Sequence, residues 1–227
     1  MNSFNAKTGI WSSAGLTLCM ATWMVCFAGI ALTSPLFTWT GMSDYLEYAA
    51  TYPQTFQHLS RWVMLLFGPL WMVLIHAMYE RTTGADRCRA RLSLLFAIMV
   101  ALLTGVAYFI QMTSVRFQMN TGEPAGLDLL VMAHPHSILT SILMLGWSFF
   151  LGLSSLFVFP VFRGSKLQQV LRYAFLVNGL SGLLAFAGYV LQVDVLTFLF
   201  SSVVTGGAVT VISVASVIFF RREMDTT

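Results

Sequence analysis

Apolar residues run along this chain in six long blocks, each close to the roughly 20 residues that a membrane-crossing helix needs. The blocks are residues 14–34, 62–79, 92–112, 137–159, 173–193 and 195–220. The fifth and sixth almost touch, with Asp194 marking the turn, yet their combined length serves two crossings. The pattern predicts an all-α fold: a polytopic transmembrane bundle of six helices, forming a single domain over residues 1–227.

The polar interruptions are unequal. The second and fourth, residues 80–91 and 160–172, are short connectors, whereas the first and third, residues 35–61 and 113–136, are long. Long loops in compact chains are often mobile or functional. Both carry aromatic and methionine residues suited to lipid headgroups, among them Trp39, Tyr45, Tyr48 and Met132. Residues 127–132 and 44–58 are expected to form short interfacial helices, which as readily serve as covers over the bundle.

The basic residues set the direction. Lys7, Arg81, Arg87, Arg89, Arg91, Arg163, Lys166, Arg172, Arg221 and Arg222 fall on one side of a six-span chain, and only Arg61 and Arg116 on the other. Cytoplasmic loops carry the excess of Lys and Arg, so both termini are expected to be cytoplasmic. Asp44, Glu47, Glu123, Asp128 and Asp194 lie on the opposite side, although acids carry little topological weight. The first block is longer than a signal-peptide core and lacks a clear Ala-x-Ala site. Removing it would break the charge alternation, so it reads as a retained helix.

Composition agrees. Of 227 residues 57% are hydrophobic and 9% charged, and the mean hydropathy is +0.78. Soluble domains are about 25% charged, so a soluble enzyme, a disordered chain and a disulfide scaffold are excluded. A net charge of +3 is too slight for a nucleic-acid partner. Cys19, Cys26 and Cys88 form no Cys-x-x-Cys pair and read as packing residues and a loop thiol.

Within the blocks, small residues let helices approach. Gly179, Gly182 and Ala185 of the fifth block are expected to meet a stripe of Ser202, Gly206, Thr210 and Ser213 on the sixth, while Ser141, Gly146, Ser148 and Gly152 are scattered around the fourth. Pro69 predicts a kink in the second helix. Pro135 is expected in the first turn of the fourth helix and Pro160 at its end. An internal echo links the third and fifth blocks, where Tyr108 and Gln111 recur as Tyr189 and Gln192.

Candidate chemistry falls in two places. His76 and Glu80 are four apart, on one helix face, and form a candidate proton-relay pair. Their spacing resembles the pair of the membrane sterol isomerases, although the rest of that family's pattern is absent, and a surface ion pair of Glu80 with Arg81 is the plainer account. On the outer side Gln111 and Arg116 close the third helix, His134 and His136 open the fourth, and Gln192 and Asp194 sit at the last turn. His58 and Arg61 begin the second. These are expected to converge on a ligand-binding site in which Arg116 holds an anion or neutralises Asp194. His58, His134 and His136 also suggest a metal site, since imidazole suits zinc, copper and iron. His-x-His alone is a weak signal, and hydrogen-bonding interfacial histidines are the simpler account. Haem would need histidines facing one another within the spans, where only His76 lies, and the sequence names no cofactor.

The stretch Gln111-Met112-Thr113-Ser114-Val115-Arg116, followed by His134-Pro135-His136-Ser137, resembles a family of uncharacterised bacterial multi-pass inner-membrane proteins. Those carry Gln-x-Thr-x-Val-Arg and then Asn-Pro-His-Gly; here His134 and Ser137 depart from the pattern. The resemblance implies a bacterial cytoplasmic membrane location and no assigned activity. Three functions follow as expectations: an outward-side polar site for a lipid or amphipathic small molecule, an accessory subunit of a membrane complex, or a metal-dependent membrane enzyme. The expected partners are membrane lipids, with a second copy or another membrane protein as further alternatives.

Overall fold

The computed structural model describes residues 3–121 and 125–225; Glu123 lies outside them. Among these residues seven helices carry the chain: α1 Ser3–Thr33, α2 Met42–Thr51, α3 Thr55–Arg81, α4 Asp86–Thr121, α5 Ile138–Val161, α6 Lys166–Val190 and α7 Asp194–Asp225. All but α2 are long and apolar enough to cross a membrane. Among the described residues there is no strand. In lipid every backbone polar group must be satisfied internally, which these helices achieve. Hydroxyls inside the spans turn back onto their own helix: Ser13 donates to the Gly9 carbonyl at 2.6 Å, Thr104 to Val100 at 2.7 Å and Thr210 to Gly206 at 2.8 Å. Serine and threonine thus cost little in an apolar segment.

The six long helices close a ring in chain order, each packed on the next and α7 packed back on α1. Neighbours run antiparallel, as the contact of Gly9 with Phe220 and of Phe27 with Phe198 shows for α1 and α7. Both termini therefore lie at one end of the bundle. That end holds the ion pairs: Arg81 with Glu223, and Asp86 with Arg89 at 3.2 Å and Arg163 at 3.3 Å. Trp71 fills the middle, fully buried against Phe67 and Phe175, with its indole N–H donating to Ser154 Oγ at 3.2 Å.

Several boundaries differ from expectation. Several helices extend beyond the apolar blocks, α4 running on to Thr121 and α6 starting at Lys166, whereas α6 stops at Val190, short of residue 193. Residues 44–58 form two elements, not one. Pro53 disfavours helical backbone at the residue before it. Tyr52 is accordingly extended, so α2 stops at Thr51 and His58 belongs to α3. Residues 127–132 supply only a single 3₁₀ turn, Leu127–Leu129. Pro135 precedes α5, whose cap is Ser137, accepting from the Thr140 N–H at 3.1 Å. Pro160 does sit in the 3₁₀ turn that closes α5. The helix α3 runs unbroken through Pro69. Gly179 and Gly182 of α6 face α5, not α7: a Cβ on Gly182 would lie 2.5 Å from the Ser148 carbonyl oxygen, and one on Gly152 would lie 3.0 Å from that of Gly179. Contact between α6 and α7 is made instead by Ser181 with Thr205 at 2.9 Å and by Gly188 against Thr197.

Gln192 occupies the left-handed region with φ 58°. The N–H of Val193 bonds the Gly188 carbonyl at 2.8 Å and that of Gln192 the Tyr189 carbonyl at 3.2 Å, the bonding of a Schellman helix end. Glycine normally holds that position, since a side chain in this conformation costs about 1–2 kcal/mol. Gln192→Gly is expected to raise the melting temperature in detergent, and a lower value would show that the Gln192 side chain supports the turn.

Candidate functional site

At the end of the bundle opposite the termini, α2 lies across the mouths of α3 and α4. Its inner face carries Tyr45, buried in a small second core with Val115, Leu127, Val131 and Leu139. This core fixes the two long loops over the bundle. Between α2 and the ends of α3 and α4 it leaves a cavity of about 210 Å³, lined by Tyr45, Ala49, Gln54, His58, Arg61, Gln111, Arg116, Met119 and Asn120.

Arg61 and Arg116 are two of these lining residues and, among the described residues, the only Lys or Arg at this end. Among the described residues neither guanidinium has a carboxylate partner, and no acidic residue lines the cavity. The remaining wall is rich in amide groups. Gln111 is 1% exposed, and its Oε1 accepts the Met132 N–H at 2.8 Å. That bond ties the third-loop backbone to α4 and leaves the amide NH₂ as the group Gln111 has to offer. Gln54, conversely, spends its NH₂ on the Tyr52 carbonyl at 3.0 Å.

The joint presence of Gln111 and Arg116 has a backbone cause. Residues five apart on an α-helix stand about 140° apart at 3.6 residues per turn. Here Gln111–Val115 is a π turn, whose hydrogen bonds join residues five apart and bring Arg116 back above Gln111. The turn converts two faces into one.

The structure thus brings together Arg61, Gln111, Arg116 and His58 from the expected cluster. It places the others elsewhere. His134 stacks on Trp39 at 4.7 Å between ring centres, with Nδ1 2.9 Å from the Asp128 carbonyl oxygen. His136 is exposed beside Tyr189, whose hydroxyl donates to the Pro135 carbonyl at 3.0 Å. Gln192 and Asp194 form the exposed α6–α7 turn, and Arg116 makes no ion pair with Asp194. Among the described residues no three His, Cys, Asp or Glu side chains gather as a metal-binding group, His58, His134 and His136 included. His76 and Glu80 stand on the exposed surface of α3, and Arg81 pairs with Glu223. The echo between Gln111 and Gln192 ends at the backbone, since one enters a π turn and the other a left-handed helix end.

Ala49, Gln54 and Asn120 escaped sequence reasoning, and Tyr45 and Met119 read there only as residues suited to lipid headgroups. The signal available was the amphipathic run over α2, which marks a covering helix without saying what it covers. Compared with protein-family models, with curated proteins and with solved structures, the chain matches none.

Proposed function

We propose that this integral membrane protein binds an anionic amphipathic ligand, a lipid or a small molecule, at the cavity between α2, α3 and α4. The observation that carries the reading is the pair Arg61 and Arg116, two guanidinium groups lining one cavity with no acidic residue among its described walls. Guanidinium matches the planar, two-oxygen geometry of carboxylate and phosphate. Membership of the bacterial family that the Gln111–Arg116 motif resembles belongs to this reading. So does an orientation with both termini cytoplasmic, which puts the cavity at the outer face of the inner membrane.

The test is native mass spectrometry of the full-length protein released from mild detergent, wild type beside Arg61→Gln and Arg116→Gln. A charge-assisted hydrogen bond contributes about 1.5–3 kcal/mol, so each variant is expected to hold an anionic amphiphile about ten- to a hundredfold more weakly. Identical bound-lipid profiles in all three proteins would sink the assignment.

A further inference from the structure

One turn deeper than the arginine cavity lies a second one, of about 160 Å³, bounded by Trp23, Met64, Tyr108, Met144, Trp147 and Ser201 among others. Met64 follows Arg61 by three residues on α3, and Tyr108 precedes Gln111 by three on α4. Residues three apart share a helix face, and three residues advance about 4.5 Å along the axis. The two cavities are therefore stacked along the same faces of α3 and α4.

All three π turns among the described residues border this stack. Gln111–Val115 supplies Gln111 to the upper cavity, while Leu145–Phe150 supplies Trp147 and Leu199–Val204 supplies Ser201 to the lower. The lower two are joined, because the Trp147 indole N–H donates to the Ser201 carbonyl at 3.0 Å. A π turn interrupts regular helix bonding and is frequent at functional sites. Three of them around one column give the helices room to part in the middle of the bundle.

Resting on the anion-binding reading above, we infer that the ligand is a single-chain amphipathic oxyanion. Its head is held by Arg61 and Arg116, and its chain descends between the helices to the Trp23–Trp147 cavity. The wall chemistry changes in the right order, from guanidinium and amide above to thioether and indole below. Methionine and tryptophan offer soft, adaptable apolar surface to a chain. A volume of about 160 Å³ takes one short chain and not the two of a diacyl lipid. Both cavities together fall in the lower part of the range of about 300–1,000 Å³ usual for small-molecule sites. Carboxylate and phosphate monoester heads share the chemistry that the arginines recognise.

Full-length protein in nanodiscs of zwitterionic lipid would be irradiated with octanoate or octyl phosphate, each carrying a diazirine at the chain end, and the adducts mapped by mass spectrometry. Adducts are expected on Met64, Met144 or Trp147, and should exceed those on the exposed Leu66, Leu102 and Phe109 about tenfold. That ratio corresponds to a preference of about 1.4 kcal/mol for the cavity. Unlabelled ligand should compete the adducts away, and the Arg61→Gln, Arg116→Gln double variant should lose them. The more efficient of the two probes identifies the head. Arginine-dependent adducts confined to the exposed residues would overturn the buried chain while leaving the anion site standing. Cavity adducts that persist undiminished in the double variant would overturn the anion site and the linkage of head to chain. No saturable adduct at all would overturn both.

Discussion

Replacing Gly182 with alanine is expected to destabilise the bundle, although alanine is the better helix former by about 1 kcal/mol. The added Cβ would sit 2.5 Å from the Ser148 carbonyl oxygen and 3.0 Å from the Gly152 Cα, both backbone atoms that no rotamer change can move. Lipid supplies no hydrophobic drive to press α5 and α6 together, so their attraction rests on this close packing. Forcing them apart carries an overpacking cost of about 1–3 kcal/mol, enough to outweigh the propensity gain. Gly182→Leu should exceed that range, because the whole side chain must enter the seam. Gly105→Ala is the matched control: nothing lies within 4 Å of its Cβ position, and only the favourable helix term remains. Unfolding by added sodium dodecyl sulfate, followed by tryptophan fluorescence, would rank the three proteins. If Gly182→Ala and Gly105→Ala shift the midpoint in the same direction, the α5–α6 seam is not where the fold is held.

That seam illustrates what the sequence does and does not convey. Six apolar blocks are a property of composition along the chain, and they translate directly into six spanning helices. The gathering of His58 and Arg61 with Gln111 and Arg116 was also legible, since the first two open one span and the others close the next on the same side. What composition does not encode is hydrogen-bond register. A regular helix over residues 111–116 would turn Arg116 away from Gln111, and the π turn that aligns them leaves no mark in the residue types. Nor does spacing say which neighbour a glycine faces. Gly179 and Gly182 fit a partner in either direction, and the choice of α5 depends on Gly152 lying at the matching height. His134 was drawn away from the arginines by a distant residue, Trp39, whose ring covers it. Trp39 belongs to the second core under the loops, and that core assembles from residues far apart in the chain.

A loss of stability of a different origin is expected from Trp71→Ala. Trp71 is fully buried at the centre of the ring, tilted against Phe175 at 5.8 Å and stacked on Phe67 at 5.9 Å. In soluble proteins truncating a buried tryptophan or phenylalanine to alanine costs about 3–5 kcal/mol, part transfer and part cavity. In a bilayer the transfer part shrinks, because lipid receives the ring as well as the core does. The cavity part remains, since each wall residue loses partner atoms outright. The cost should therefore sit near the lower end, about 3 kcal/mol. Trp71→Phe separates the ring from its N–H. It keeps most of the volume and gives up the bond to Ser154 Oγ, but that oxygen still lies 3.3 Å from the Ser93 hydroxyl. About 1 kcal/mol should therefore be lost. The two mechanisms also differ in rescue. A cavity walled by Phe67 and Phe175, with the Ser154 hydroxyl at one end, matches a small aromatic that carries an N–H, so indole added to Trp71→Ala should recover part of the lost melting temperature and do nothing for wild type. An alanine variant as stable as wild type, or one indifferent to indole, would mean that α3 and α6 collapse into the space and that the centre of the bundle is not a fixed packing of rings.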